Sequence, residues 1–276
     1  MRHTRMNMKA VWIIGGAGYL GSALAAQCRA EGWRLLVVDP AGAPSEHCLA
    51  EPAGAPGALE RAAERLVPEV IFFCASTRGG DAAAYRTTYA EPVLRAAEVA
   101  PQAHLVLCSS AAVYAAGGRV TEQSPTPGET ERQRTLLAAE AATLRNGGAV
   151  ARLAALYGPG RCELLRRHLA GEPCLPGAAT RVLNYVHVAD AARALLLLAG
   201  AAGVYNVCGE SFTKAEAYAM LAELTDCPPS PEHATAARRG AADHRVSAEL
   251  LRSAIGWAPQ HFFRDFVQKH AGKRSS

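Results

Sequence analysis

The sequence predicts an α/β protein built on a doubly wound parallel sheet. Three observations carry that expectation. Apolar runs of strand length, at residues 11–14, 35–38, 70–74, 104–108 and 149–153, alternate with helical patterns. Repeated strand–helix units of this kind call for a parallel sheet with right-handed crossovers. The first run ends in a glycine turn, Gly15-Gly16-Ala17-Gly18-Tyr19-Leu20-Gly21. Later runs end in small polar residues, Ala75-Ser76-Thr77 and Ser109-Ser110, which is the ligand rim of such a sheet.

The glycine turn organises the rest. Glycines at Gly15, Gly18 and Gly21 let the backbone turn sharply and approach a phosphate that any side chain would block. The helix opening at Tyr19 and Leu20 points its N–H groups and positive dipole end at that phosphate. The second strand ends at Asp39. A carboxylate about 20 residues after such a turn accepts the ribose hydroxyls of an adenine nucleotide. Strand, glycines, helix, strand and acid in that order predict a Rossmann-type nucleotide site.

Composition sets the remaining bounds. The 276 residues are 50% hydrophobic and 6% aromatic, enough for one large α/β domain with a small lobe. A net charge of +4 from 29 basic and 25 acidic residues is too balanced to imply nucleic acid or an anionic membrane. The eight cysteines contain no C-x-x-C pair, so the expectation is a reducing, cytoplasmic setting with no metal site and no disulfide frame. The opening Met1-Arg2-His3-Thr4-Arg5-Met6-Asn7-Met8-Lys9 is basic, but the apolar run after it is short and broken by glycines, unlike a signal peptide. Leu195-Leu196-Leu197-Leu198 is far below membrane-spanning length.

Along the chain, the first helix is expected over 19–31, with Leu20, Leu24, Ala25 and Cys28 on its apolar face and Gly32 as its stop. Cys48-Leu49 reads as a short third strand. Helices follow over 58–66, 82–99 and 131–145, and residues 117–129 read as a polar loop. Beyond Leu153 the texture changes. A loop Tyr157-Gly158-Pro159-Gly160-Arg161, a helix to about 170, an extended segment 182–190 and a late strand 204–207 are expected. Thr213 caps a helix to 224, residues 226–243 are loop-like, and helices are expected over 246–255 and 262–270. The domain reading is a nucleotide domain over 9–155. Residues 156–270 complete the sheet and form a small substrate lobe, with tails at 1–8 and 271–276.

Several motifs occur in one order: Gly15-x-x-Gly18-x-x-Gly21, Asp39, Ser109-Ser110-x-x-Val113-Tyr114, Tyr157-Gly158-Pro159-Gly160-Arg161, and Asn184-x-Val186-His187-Val188-x-Asp190. Together with Val246-Ser247-x-x-x-Leu251 and Gly256-Trp257-x-Pro259, they resemble the extended short-chain dehydrogenase/reductases, the NAD-dependent epimerase/dehydratase group. That resemblance implies NAD at Gly15, Gly18, Tyr19, Leu20, Gly21 and Asp39, with Ala75, Ser76, Thr77 and Ser109 beside it. Asp39 favours NAD over NADP, since a carboxylate repels a 2′-phosphate. Ser110 matches the catalytic hydroxyl that bonds the reacting oxygen, and a serine tying down its own loop is the bland alternative. Tyr157, Arg161, Asn184 and His187, with Ser110, are the candidate substrate contacts. Relatives often dimerise through two long helices, here 82–99 and 131–145, so a homodimer is a candidate assembly.

The resemblance also marks departures. Family chemistry rests on Tyr-x-x-x-Lys, whose phenol exchanges the hydroxyl proton while the ammonium lowers its pKa. Aligned on Leu137 to Glu140, those positions hold Arg132 and Leu136, and the four lysines, Lys9, Lys214, Lys269 and Lys273, fall elsewhere. Tyr89 stands where Asn is frequent, and Cys48 where an Asp often contacts adenine. This combination resembles an atypical branch lacking the pair. Tyr114 is expected to pack under its loop and His187 to be structural at a strand–helix junction. Two functions follow. One is an NAD-dependent oxidoreductase or epimerase acting on a small polar, sugar-like or nucleotide-linked substrate. The other is a non-catalytic NAD(H)-binding sensor or scaffold.

Overall fold

Strand β1 (Ala10–Ile14), with sequence AVWII, is wholly buried, as a run without polar side chains must be at the centre of a parallel sheet. In the computed structural model, which describes residues 9–77, 82–115, 117–231 and 243–271, the elements follow in order. They are α1 (Tyr19–Ala30), β2 (Arg34–Val38), β3 (Cys48–Leu49), α2 (Ala58–Arg65), β4 (Val70–Phe73), α3 (Ala82–Tyr85), a π-helical turn Arg86–Ala90, and α4 (Glu91–Val99). Next come β5 (His104–Ser110), β6 (Arg119–Val120), α5 (Glu131–Arg145), β7 (Ala149–Leu153), β8 (Ala155–Tyr157), α6 (Glu163–Leu169), β9 (Val182–His187), α7 (Val188–Leu197) and β10 (Gly203–Val207). The chain closes with β11 (Glu210–Thr213), α8 (Lys214–Leu224), β12 (Arg245–Val246), α9 (Glu249–Ile255) and α10 (Phe263–Ala271). The expected tails 1–8 and 272–276, and the core of the expected 226–243 loop at 232–242, lie outside the described residues.

The main sheet has the order β10-β7-β5-β4-β1-β2-β3. β3, β2, β1, β4 and β5 run parallel, with Ile14 opposite Val38 on one side and Phe73 on the other. This is the doubly wound sheet that the sequence predicts. Trp12 is fully buried and its indole N–H donates to the Leu66 carbonyl at 2.7 Å, which satisfies its one donor.

The chain divides into two units, each built from non-contiguous pieces. The first takes the chain up to Val113, then Pro127–Arg152 and Ala192–Tyr205; the second takes Tyr114–Thr126, Leu153–Ala191 and the chain from Asn206. The second unit holds the sheet β11-β9-β8 and the parallel pair β12-β6. Its core gathers Tyr157, Leu164, Leu183, Phe212, Leu221 and Phe263.

Four expectations need correction. The helix expected over 82–99 is interrupted: Glu91 N–H reaches back to the Arg86 carbonyl, closing a π turn. Pro92 follows directly, and its missing N–H removes the bond that would have kept the regular ladder. The polar loop 117–129 contains β6. Residues 246–255 are not one helix, because Arg245 N–H donates to Gly118 and Ser247 N–H to Val120, which draws Arg245–Val246 into a strand before α9 begins. The segments Ala155–Tyr157 and Glu210–Thr213 are strands on either side of β9 that the sequence reading left unassigned. Thr213 does cap its helix, in a capping box with Glu216.

Candidate functional site

The glycine turn between β1 and α1 has no room for side chains where the backbone folds on itself. Gly15 sits at φ +79°, and a Cβ there would lie 2.4 Å from the Ala75 amide nitrogen. A Cβ on Gly21 would lie 2.2 Å from the Gly15 carbonyl oxygen. Gly18 differs: an added Cβ meets only the Gly15 oxygen, at 3.1 Å, so its remaining side is open. Gly18 is also the N-cap of α1, which has no side-chain cap and no acidic residue in its first turn. Tyr19 and Leu20 open that helix, with Leu20 buried. An uncapped helix start behind open backbone suits an anionic group.

Asp39 is 8% exposed at the end of β2. Its Oδ2 accepts from the Ala17 N–H of the glycine turn at 3.0 Å and its Oδ1 from Ala41 at 2.8 Å. Two of about four acceptor positions on a carboxylate are thereby used, and the others remain for hydroxyl donors. The acid is thus locked to the turn it was expected to serve.

The carboxyl ends of β4 and β5 supply the rest of the first unit's site. Ala75 and Thr77 are half-buried and Ser76 is exposed. The Thr77 hydroxyl oxygen is buried with no hydrogen-bond partner among the described residues, an atom waiting for a polar ligand. Cys74 and Cys108 end adjacent strands with their sulfurs 3.6 Å apart. Their mutual hydrogen bond and burial push the Cys74 thiol well up.

The two serines diverge. Ser110 accepts from the Ala112 N–H at 3.2 Å, the local loop bond of the bland alternative, yet this uses one lone pair and leaves its O–H to donate. Ser109, expected beside the cofactor, turns inward: its hydroxyl donates to Glu140 at 2.5 Å. Glu140 in turn takes two nitrogens of Arg152, the shortest contact being 2.6 Å. Ser109 therefore anchors the loop and has only its main chain to offer a ligand. A charged Arg152 inside the apolar strand Ala149–Leu153, facing a helix that carries Glu140, was the available sequence signal for this buried pair.

In the second unit the candidate substrate residues are heavily used by the fold. Tyr157 is buried, donates to the His261 carbonyl at 3.1 Å, and packs edge-on against Tyr185, His187, Phe263 and Phe266. Burial pushes its hydroxyl far above the usual tyrosine range. Asn184 accepts from Ser211 and Val246 and donates to the His244 carbonyl. His187 stacks on His261 at 4.3 Å and accepts from the Ala189 N–H. Burial first, then the His261 charge, holds its pKa below 6.5. Asp190 accepts from the Gln260 and His261 amides and from His261 Nδ1. Arg161 is exposed, in a tight turn closed with Gly158. Tyr114 is buried and donates to Asn206 at 2.7 Å. No cluster of three metal-ligating side chains occurs among the described residues.

The description "NAD dependent epimerase/dehydratase family" belongs to the family model that matches residues 11–208. The chain belongs to this family. The match runs from β1 past β10 and includes the glycine turn, Asp39 and both serines. No curated protein matches the chain. Among solved structures, MoeE5 in complex with UDP-glucose and NAD is 24% identical, with a TM-score of 0.82 over 94% of this chain and 96% of its own. The Thermus thermophilus UDP-glucose 4-epimerase complex with NAD is 24% identical, with a TM-score of 0.80 over 94% and 96%. Bordetella bronchiseptica WbmG with NAD and UDP is 22% identical, with a TM-score of 0.82 over 95% and 93%. At these identities the likeness is one of fold.

In this family member the first unit fits a dinucleotide. The closed turn at Gly15 and Gly21, the open face at Gly18, the bare helix start, Asp39 and the Thr77 hydroxyl match a pyrophosphate, a ribose and a polar ring substituent respectively. No helix among the described residues is long and apolar enough to cross a membrane.

Proposed function

We propose that this chain is an NAD(H)-dependent oxidoreductase of the epimerase/dehydratase type, acting on a small polar substrate of the sugar-nucleotide kind. The observation that carries the reading is the glycine turn closed to side chains with Asp39 bonded to it through Ala17. NAD, when bound there, supplies the hydride acceptor and donor. Asp39 holds the ribose, α1 faces the pyrophosphate, and Ser110 donates its hydroxyl to the reacting oxygen. The substrate class draws support from similar folds solved with UDP-glucose or UDP. Tyr157, Arg161, Asn184 and His187 are the second unit's contributions to the reading. Tyr157, Asn184 and His187 act chiefly by shaping the lobe, and Arg161 offers a guanidinium to an anion.

Calorimetric titration with NAD⁺, NADH and NADP⁺ tests this. Binding of NAD⁺ in preference to NADP⁺ is expected. Asp39→Ala removes charge-assisted hydrogen bonds of about 1.5–3 kcal/mol, so NAD⁺ affinity falls roughly 10- to 150-fold. Unchanged affinity in the variant sinks the assignment. Arg132 and Leu136 in α5 favour a second reading, a non-catalytic NAD(H) sensor or scaffold. Tight NADH binding with no turnover across sugar-nucleotide and hydroxy-acid substrates selects it. The eight thiols, two of them 3.6 Å apart, suit a reducing compartment such as the cytoplasm. Exposed Leu94 in α4 and Leu144 in α5 suit self-association through those helices, which sedimentation measures.

A further inference from the structure

Hydride transfer at a hydroxyl-bearing carbon also moves a proton at the oxygen, and some group must take or give it. In the frame that aligns Leu137 to Glu140, α5 offers Arg132 and Leu136. A guanidinium stays charged and a leucine has no proton to exchange. Yet both side chains converge on one feature of the first unit. The Arg132 guanidinium lies 4.8 Å over the Tyr85 ring. Leu136 joins Tyr85 and Val113 in a buried cluster against which Tyr89 packs. Tyr89 stacks on Tyr85, with centroids 5.3 Å apart and planes at 26°. Its hydroxyl shares a hydrogen bond with Ser76 at the carboxyl end of β4. Tyr89 lies within the π turn Arg86–Ala90, a local widening of the kind found at functional positions in helices.

We propose that Tyr89 is the proton-exchanging group of the redox site, its phenol aimed by the π turn and Tyr85, held at the rim by Ser76, with Arg132 as its cation. The proposal rests on the NAD reading above. In the oxidative direction the substrate O–H bond breaks and its proton goes to the Tyr89 phenolate oxygen. The hydride leaves the carbon with its electron pair for NAD⁺. In the reductive direction the phenol gives the proton back.

The charged and titratable groups facing Tyr89 come from three elements besides the Ser76 loop: Tyr85 on its own helix, Cys108 on β5 and Arg132 on α5. Burial pushes the Tyr89 hydroxyl above the usual tyrosine value, with Tyr85 and Cys108 adding to it, while Ser76 and Arg132 pull it down. The group is therefore protonated at neutral pH and ready as an acid. Oxidation, which needs the phenolate, speeds up as pH rises.

The test uses the full chain carrying ¹³Cζ-tyrosine, with the Tyr89 resonance assigned by its loss in Tyr89→Phe, and NAD⁺ binding measured in parallel by calorimetry. The Tyr89 titration midpoint is expected to rise by about one pH unit in Arg132→Leu and to return toward the parent value in Arg132→Lys. It is expected to fall when NAD⁺, whose ring is cationic, saturates the protein. Tyr85→Phe keeps the stack and leaves that NAD⁺ response in place. If NAD⁺ binds and the Tyr89 resonance ignores both the cofactor and Arg132→Leu, the proposal is overturned while the NAD reading stands. If NAD⁺ does not bind, both fall.

Discussion

Replacing Glu140 with alanine leaves a guanidinium uncompensated in the core. The Arg152 and Glu140 side chains are only 7% and 4% exposed. Three nitrogen–oxygen contacts of 2.6–3.2 Å join them, and the Ser109 hydroxyl donates to the same carboxylate. Removing one partner of a buried pair costs about 3–5 kcal/mol, and loss of the Ser109 acceptor adds about 1 kcal/mol. Against a total stability of about 5–15 kcal/mol, Glu140→Ala should remove a third of it or more. With a urea slope of about 2–3 kcal/mol per molar, the denaturation midpoint should fall by about 1.5–2 M, read by circular dichroism. The double variant Glu140→Leu with Arg152→Met removes both charges and should recover most of the loss, because a packed apolar pair stands in for a buried ion pair at little net cost. The reasoning is refuted if Glu140→Ala lies within 1 kcal/mol of the parent or if the double variant is no better than the single one.

Two glycines of one turn should separate folding from binding. Gly21→Ala drives a methyl into the Gly15 carbonyl and should lower stability by about 1–3 kcal/mol as well as NAD⁺ affinity. Gly18→Ala meets only one atom, at 3.1 Å, and should lower affinity with the melting temperature nearly unchanged; equal losses in both variants for both readouts would contradict this. His168 is buried between Thr225 and Ser230, and burial holds its pKa below 6.5. The unfolded chain therefore binds a proton there first, and this stability is present above about pH 6.5 and lost as pH falls through the depressed value. His168→Gln should show a shallower decline in urea midpoint between pH 7.5 and 5 than the parent; parallel curves would rule out this source.

The sequence revealed features with short-range causes and left those with long-range ones hidden. The helix Glu131–Arg145 and the strand Ala149–Leu153 have the bounds expected, since caps and apolar periodicity act within a few residues. The glycine turn and Asp39 were legible because their spacing is itself the mechanism. β6 and β12 were not, because each is two residues long and exists only through the other. The π turn was invisible to periodicity, although Pro92 signalled a broken ladder. Ser110 was placed with its local bond anticipated, whereas the inward turn of Ser109 depends on Glu140 and Arg152, far along the chain. The convergence of Arg132 and Leu136 on Tyr85 and Tyr89 likewise needed three dimensions, because α5 lies some 45 residues downstream of the π turn.

The strand order has a consequence for biosynthesis. β10 lies beside β7 at the edge of the main sheet, yet 50 residues separate Leu153 from Gly203. At about 5–20 residues per second, the ribosome takes roughly 3–10 s to supply that strand. Throughout that interval β7 presents an unpaired row of backbone donors and acceptors to the cell. The nascent chain is therefore most open to intermolecular strand pairing after α5 and β7 have been made and before Gly203–Val207 arrives, and a synonymous slowdown of translation between these points should lower its soluble yield.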